Sequence, residues 1–376
     1  MLPGTMKASS GEHYVALDHI RALAAFLVFT WHFTHTTNGT PVSFRYVPAL
    51  FCFAPLDEGH TGVSLFMTLS GYLFAKLLAG RRIDYSAFLW NRILRLAPLL
   101  VVVLSVIGFQ RVRAGESIAD YGLFLWQGLW LPTLPNGGWS IAVELHFYVL
   151  LPVLIWLFAR SRLSLLGIIV AAVLFRGWYF QTHGSVQTLA YFTIVGHLDQ
   201  FLLGMWGTQL RPLMAGRHRI AASVLIAFLL AYWRFDVIGG FYNSVSNPLW
   251  VLLPTVEGLA YALLIVWYDN SFVHTTSGLS GFVAKIGAYS YSIYLLHFFF
   301  VFDAARLIHR HVMPLSNFYV ASVWSLLAFL MMFPLAHLSF QFIESPFLKL
   351  RRRYVRQPSL EVAALSHSLV ASVSKG

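Results

Sequence analysis

An arginine and a histidine on one helix face are the side chains best placed to do chemistry in this chain. Residues 15–35, VALDHIRALAAFLVFTWHFTH, form an apolar segment that carries Arg21 and His32. Eleven residues are close to three helical turns, so both side chains share a face and lie roughly 16 Å apart along the axis. Asp18 falls near the same face and is expected to pair with Arg21. The residues between are mainly small, so the face offers a cation, a titratable imidazole and a slot that suits a reaction path.

The carboxylate of Glu144 is a further candidate, in the apolar segment NGGWSIAVELHFYVLLPVL. A carboxylate inside a membrane span costs at least a few kcal/mol unless it is paired or protonated, so a functional role is the default interpretation. In the predicted topology Glu144 lies at about the depth of His32, where it could orient the imidazole or stabilise its cation. Asp199 and His297 also lie in apolar segments. Either could simply neutralise a buried partner, and for His297 that structural interpretation is favoured.

Two more arginines, Arg92 and Arg95, precede the third apolar segment in NRILRLAPLL. Three residues apart, they share a helix face, and guanidiniums can bind phosphate groups through paired hydrogen bonds. The same residues could instead be topology signals or partners for lipid head groups, and the sequence does not separate these alternatives.

The composition is that of an integral membrane protein. Of 376 residues, 58% are hydrophobic and 11% are charged, whereas soluble domains carry about 25% charged residues. The net charge of +11 comes from short basic clusters between apolar segments, which argues against a nucleic-acid binder. The single cysteine, Cys52, excludes an internal disulfide and a multi-cysteine metal site, and no metal is expected.

Ten apolar segments of spanning length predict an all-α, polytopic helix bundle in the cell membrane. They are residues 15–35, 61–79, 93–110, 139–159, 163–180, 188–210, 219–235, 249–268, 282–302 and 318–342. Ten spans put both termini on one side, and the cytoplasm is favoured because about 18 Lys and Arg then lie inside against about 7 outside. Residues 118–135 are predicted to form an interfacial or re-entrant helix, because their apolar part is too short to span.

Three regions follow from this pattern. We expect a cytoplasmic N-terminal segment over residues 1–14, a transmembrane domain over residues 15–350 and a cytoplasmic tail over residues 351–376. The tail is basic at first and then rich in Ser and Ala, so it is expected to be flexible. In the second span, GVSLFMTLSGYLF, small residues that include Gly62 and Gly71 should let the helix approach a neighbour closely.

Seven sequence blocks resemble those of one known family in their order: LDHIRALAAFLVFTWH, GVSLFMTLSGYLF, NRILRLAPLL, WSIAVELHFYVLLPVL, HLDQFLLGM, YSYSIYLLH and FIESPF. The family is membrane acyltransferase family 3, the bacterial O-acyltransferases that modify surface carbohydrates and some small glycosides. The resemblance covers residues 15–350, and its most specific part is the pair Arg21 and His32. It implies that these two residues are required for activity and that Arg92 and Arg95 are involved.

Two positions depart from the pattern of the family. Leu145 follows Glu144 where many members have an acidic residue, and Ser64 stands where many have Asp. The role of Glu144 therefore carries over less directly than that of His32.

The resemblance implies an O-acyltransferase that moves an acyl group from cytoplasmic acyl-CoA, with acetyl-CoA as the expected donor, to a hydroxyl of a carbohydrate or glycoside. The donor phosphates would bind Arg92, Arg95 and Arg21, and the pantetheine arm would reach toward His32, which acts as base or carries the acyl group itself. Glu144 would assist His32.

Two alternatives stay open at this point. Asp, Glu and His within spans also form proton relays, so a proton-coupled transporter of a small solute is one rival. An inactive family member with a structural role is the other. The arginine pair favours CoA chemistry over transport, because a transporter needs no phosphate-binding site there. The oligomeric state is not predicted.

Overall fold

The computed structural model describes residues 14–35, 41–78, 81–131, 133–243 and 245–356. The predicted N-terminal segment lies outside this part of the chain except for Tyr14. The predicted flexible tail lies outside it beyond Arg356.

The described chain is helical, apart from a single pair of two-residue strands. The α-helices are α1 (Val15–Thr34), α2 (Ala54–Asp57), α3 (Thr61–Leu78), α4 (Tyr85–Arg113), α5 (Ile118–Gly128), α6 (Gly138–Arg160), α7 (Arg162–His183), α8 (Gln187–Phe192), α9 (Ile194–Gly207), α10 (Arg211–Met214), α11 (His218–Val237), α12 (Gly240–Asn243), α13 (Leu253–Ser271), α14 (Gly278–Ala288), α15 (Ser290–Leu296), α16 (Val301–His311), α17 (Phe318–Ser339) and α18 (Ser345–Leu348). Short 3₁₀ turns cover Phe51–Phe53, Thr208–Leu210, Pro248–Val251 and His297–Phe299, and a π-helical turn, Phe340–Glu344, joins α17 to α18. The predicted fold class, all-α, is therefore confirmed for the described residues.

Six of the described helices are long and apolar enough to cross a membrane. They are α3, α4, α6, α7 (from Leu163), α11 and the segment from α17 to α18. The count becomes seven if the pair of helical segments Ser290–Phe299 and Val301–His311, which meet at a bend of 57°, is one span. The predicted span 188–210 is divided between α8 and α9. The number of ten spans and the side of the termini therefore stay predictions.

The predicted short segment after α4 forms α5, which has 11 residues. Eleven residues at about 1.5 Å per residue reach only about half the width of a hydrocarbon core. The prediction that this segment is too short for a span is confirmed.

The centre of the bundle is formed by α1 and α3. Of the most apolar window of α3, 78% is buried inside the protein, against 22–39% for the other five candidate spans, which are therefore peripheral. Glycines allow this close packing: a Cβ added at Gly62 would lie 2.5 Å from the carbonyl oxygen of Ala24 in α1, and one at Gly71 would lie 2.0 Å from that of Phe201 in α9. The predicted close approach of the second span is confirmed.

The described C-terminal segment is bound to the start of α4. Strands β1 (Arg82–Ile83) and β2 (Val355–Arg356) pair antiparallel. Asn91 donates a 2.7 Å hydrogen bond to the Arg352 carbonyl and accepts one of 2.9 Å from the Arg352 amide. These contacts bring the basic residues that follow α18 beside the arginines of α4.

Candidate active site

A cavity of about 210 Å³ lies between α1, α3, α4, α6 and α15. Four arginines line it: Arg21 of α1, Arg92 and Arg95 of α4, and Arg351 after α18. We call it the arginine pocket. It brings together the three arginines that the sequence marks as functional candidates, and it adds Arg351, which the sequence places only in the basic tail.

Asp18 positions the arginine of α1. Its carboxylate lies 2.5 Å from a terminal nitrogen of Arg21, three residues further along the helix, and it is 6% exposed. The predicted pair is confirmed. Because Gly287 of α14 packs against the backbone carbonyl of Asp18, this turn of α1 is held tightly at the edge of the pocket.

Two further guanidiniums of the pocket, those of Arg92 and Arg351, are incompletely paired among the described residues. The Nε–H groups of Arg92 and Arg351 are buried, and neither has a hydrogen-bond partner among the described residues. Burial, and then the positive charges of Arg95 and Arg92, lower the pKa of Arg351 to about 9. Like charges at close range repel, so an anion bound here would relieve both the repulsion and the missing hydrogen bonds.

Glu144 of α6 lies in the arginine pocket. Its carboxylate accepts a hydrogen bond from Tyr148, one helical turn further on, and a 3.4 Å bond from Ser70 of α3. Among the described residues, no hydrogen bond joins Glu144 to His32. The structure thus brings Glu144 together with the arginines, and its predicted contact with the imidazole stays a prediction.

The imidazole of His32 is half-buried near the opposite end of α1. Its Nδ1 is 2.9 Å from the carbonyl of Val28 and 3.3 Å from Nε2 of His297. Since a carbonyl only accepts, Nδ1 carries the hydrogen and the neutral ring presents its lone pair at Nε2. No hydrogen bond to this Nε2 occurs within the described part of the chain, which leaves it available as a base.

Tyr294 connects the two ends of the site. Its side chain lines the arginine pocket, where its hydroxyl accepts a 2.9 Å hydrogen bond from Ser140 of α6. Its backbone carbonyl accepts a hydrogen bond from His297, which contacts His32. The arginine pocket therefore extends to the residue that holds the histidine pair.

Aromatic rings flank His32 on its remaining sides. The ring centroids of Phe298 and Trp31 lie 4.5 Å and 4.9 Å from that of His32, and Phe302 of α16 lies at 5.9 Å. Phe298 and Phe302 are themselves half-buried. The imidazole of His32 thus packs among aromatic side chains.

Asp199 has a different role from the residues of the pocket. It lies 2.6 Å from a terminal nitrogen of Arg176 in α7, and both side chains are fully buried. Thr255 donates a hydrogen bond to the same carboxylate oxygen. Asp199 therefore neutralises a buried arginine, as one of the two interpretations of the sequence predicted.

Three features of the site were missed in the sequence. The sequence predicts Arg351 only as part of a basic tail, it does not mark Tyr148 as a candidate, and it does not predict the contact of His297 with His32. The signal for Tyr148 was present, because it stands four residues after Glu144 on the same helix face. Arg351 precedes Arg352, which binds Asn91 across 261 residues, and His297 contacts His32 across 265 residues. Spacing along the chain therefore carries no signal for either residue.

An apolar helical bundle with an arginine-lined pocket, one of whose lining residues binds His297 beside His32, fits a membrane transferase that takes an anionic donor. The comparison with known families agrees with this class. The profile of the family described as "Acyltransferase domain" matches residues 14–337, and the chain belongs to this family. The predicted membership of acyltransferase family 3 is confirmed, and the description of the family agrees with the predicted class of enzyme.

Several curated proteins are similar to the chain. A protein of Staphylococcus aureus (strain COL) that bears the provisional name O-acetyltransferase is 22% identical over 395 residues, which cover 92% of this chain and 59% of that protein. The peptidoglycan O-acetyltransferase OatA of Listeria monocytogenes is 23% identical, covering 90% of this chain and 56% of OatA. BcsY of Komagataeibacter xylinus, provisionally named a membrane-bound transacylase, is 26% identical over 64% of this chain and 66% of BcsY.

The chain spans less than two thirds of the length of most of these relatives. No solved structure matches it.

Proposed function

We propose that this protein moves an acyl group, acetyl in the first instance, from acyl-CoA to a hydroxyl of a carbohydrate or glycoside acceptor. The observation that carries the proposal is the arginine pocket, in which four guanidiniums surround a cavity that extends to Tyr294, next to the histidine pair. The family to which the chain belongs and the names of its relatives support the same reaction class.

The donor binds through its phosphates in the arginine pocket. Arg92 and Arg351 have buried Nε–H groups ready to donate, and charge-assisted bonds to phosphate are about twice as strong as bonds between neutral groups. In the proposed orientation this end of α1 faces the cytoplasm, where acyl-CoA is made. The pantetheine arm then runs past Ser140 and Tyr294 and brings the thioester to His32.

The chemistry takes place at Nε2 of His32. This nitrogen takes the proton of the acceptor hydroxyl, and the hydroxyl oxygen forms a bond to the acyl carbon. The carbon–sulfur bond breaks, and the thiolate of CoA leaves and takes up the proton from His32. A route in which Nε2 first accepts the acyl group itself uses the same lone pair and the same geometry.

The acceptor reaches His32 from the side of Phe298 and Phe302. Half-buried ring faces are suited to the apolar faces of sugar rings, and aromatic lining is common in small-molecule sites. OatA is named for peptidoglycan, so peptidoglycan fragments are the first acceptor to try, followed by simple glycosides.

The test is release of CoA thiol by the purified protein supplied with acetyl-CoA. We expect release that depends on an acceptor, together with an alkali-labile acetyl ester on the glycan. A proton-coupled transporter would instead accumulate a solute in vesicles under a proton gradient. Absence of release with peptidoglycan fragments and with simple glycosides, in protein that binds acetyl-CoA, would contradict the proposed reaction.

A further inference from the structure

His297 is almost fully buried, at 1% exposure, in the 3₁₀ turn that follows α15. Its Nδ1 lies 2.6 Å from the backbone carbonyl of Tyr294. A carbonyl oxygen can only accept, so Nδ1 of His297 carries the hydrogen and Nε2 of the neutral ring holds a lone pair. The direction of that lone pair is therefore set by a backbone group.

The lone pair of His297 points at His32. Nε2 of His297 is 3.3 Å from Nδ1 of His32, and the ring centroids are 5.1 Å apart. The hydrogen on Nδ1 of His32 is shared between this nitrogen and the carbonyl of Val28. The contact joins two segments 265 residues apart, so it fixes the imidazole of α1 against a different part of the bundle.

The surroundings of His297 favour an uncharged acceptor. The rings of Phe298, Phe29 and Tyr294 lie 4.3 Å, 6.0 Å and 5.9 Å from its own ring, measured between centroids. A carboxylate in such an apolar environment would need a compensating charge even while His32 is neutral, whereas a neutral imidazole needs none.

We propose that His297 is a positioning residue for the transfer reaction, a neutral acceptor that holds the Nδ1–H of His32 and stabilises its imidazolium form. When Nε2 of His32 takes the proton of the acceptor hydroxyl, the ring becomes a cation with hydrogens on both nitrogens. The lone pair of His297 then receives a charge-assisted hydrogen bond from Nδ1, and no proton passes to His297 itself. This inference rests on the proposed function, because it assigns a role in the same reaction.

Two amide side chains separate this role from a structural one. His297→Asn places a polar atom at the position of Nδ1, so it can keep the bond to Tyr294, but it is too short to reach His32. His297→Gln places a carbonyl oxygen near the position of Nε2, so it restores an acceptor for the Nδ1–H of His32. The two variants thus differ in the contact with His32.

We expect kcat to fall about 100-fold in His297→Asn and to recover to within about fivefold of wild type in His297→Gln, with KM for acetyl-CoA unchanged in both. Thermal stability is measured alongside. A structural histidine would give the opposite order, because the Asn variant keeps the Tyr294 contact, and losses of activity would follow losses of stability. Wild-type kcat in His297→Asn, or equal kcat in the two variants, would overturn the proposal.

The failure of this inference is distinguishable from failure of the proposed function by including His32→Gln in the same assay. If His32→Gln loses transfer and His297→Asn does not, only the role of His297 is wrong. If neither change affects transfer, the reaction does not use His32 and the proposal for His297 falls with it.

Discussion

Two arginine sites in this bundle differ in how their side chains are paired. Arg176 is fully buried, and each of its nitrogens has an acceptor: Nε donates to the carbonyl of Val251, and the terminal nitrogens donate to Val195, Thr255 and Asp199. In the arginine pocket, by contrast, Arg92 and Arg351 keep buried Nε–H groups that no described residue accepts.

The difference shows how an arginine in an apolar chain can be interpreted. Burying a charge is tolerated when a carboxylate and further acceptors complete its shell, and such an arginine joins helices together. The buried Nε–H groups of Arg92 and Arg351 lack such acceptors among the described residues, and a bound anion would supply them. The first site therefore serves the fold, and the second is the one that we propose for the phosphates of the donor.

The largest expected effect is on stability, at Arg176. Arg176→Ala leaves Asp199 as a buried carboxylate without its cation, which we expect to lower the free energy of unfolding by about 3–5 kcal/mol. Thermal unfolding of the purified protein measures it. Acetyl-CoA affinity of the folded fraction should equal that of wild type. A stable Arg176→Ala protein with weakened CoA binding would break the contrast between the two sites.

The next effect is on donor binding. Arg92→Ala combined with Arg95→Ala removes two phosphate contacts, so the Kd for CoA should rise about 100-fold, which is about 2.8 kcal/mol. Equilibrium binding of CoA to the double variant measures the change, and membrane insertion and thermal stability should stay near wild type. Unchanged CoA affinity would exclude the phosphate-binding role of this pair.

A smaller effect on the same property is expected at Arg351. Arg351→Ala should raise the Kd for CoA about 10-fold, because it removes one charge-assisted hydrogen bond from the pocket. Arg353→Ala is the matched control, since Arg353 is exposed two residues away and does not line the pocket. Equal effects of the two substitutions would mean that Arg351 acts only through the general charge of this segment.

The orientation of the bundle can be tested with the single native cysteine. Cys52 is exposed and follows α1, so a membrane-impermeant maleimide should label it in intact cells. In a Cys52→Ser protein with Arg353→Cys, labelling should require permeabilised cells. Labelling of Cys52 only after permeabilisation would mean that the orientation is the reverse of the predicted one and that the arginine pocket faces the outside.

The helices and the local pairs of this protein could be predicted from its sequence. Apolar length marks most of the long helices, and the contact of Asp18 with Arg21 follows from a spacing of three residues on one helix. Spacing on a helix face selects Arg21, Arg92 and Arg95, and the cost of a carboxylate in an apolar segment selects Glu144. The structure places all four in one pocket.

The contacts that complete the site could not be predicted in this way. Arg351 enters the pocket because β2 pairs with β1 and Asn91 binds the backbone of Arg352, and neither event leaves a local pattern. His297 differs from an ordinary core histidine only because its Nε2 lies 3.3 Å from Nδ1 of His32. The breaks between α8 and α9 and between α14, α15 and α16 were also missed, because hydropathy averages over short interruptions of a helix.

The central claim is that donor binding belongs to the arginine pocket and proton transfer belongs to His32. It is tested most directly by measuring CoA affinity and acyl transfer on one variant, His32→Gln, which keeps hydrogen bonding but cannot take up a proton at neutral pH. We expect transfer to fall about 1000-fold while the Kd for CoA stays within about twofold of wild type. The reason is that Arg21 of the pocket and His32 lie roughly 16 Å apart along α1. A His32→Gln protein that transfers acyl groups at near wild-type rate would contradict the account.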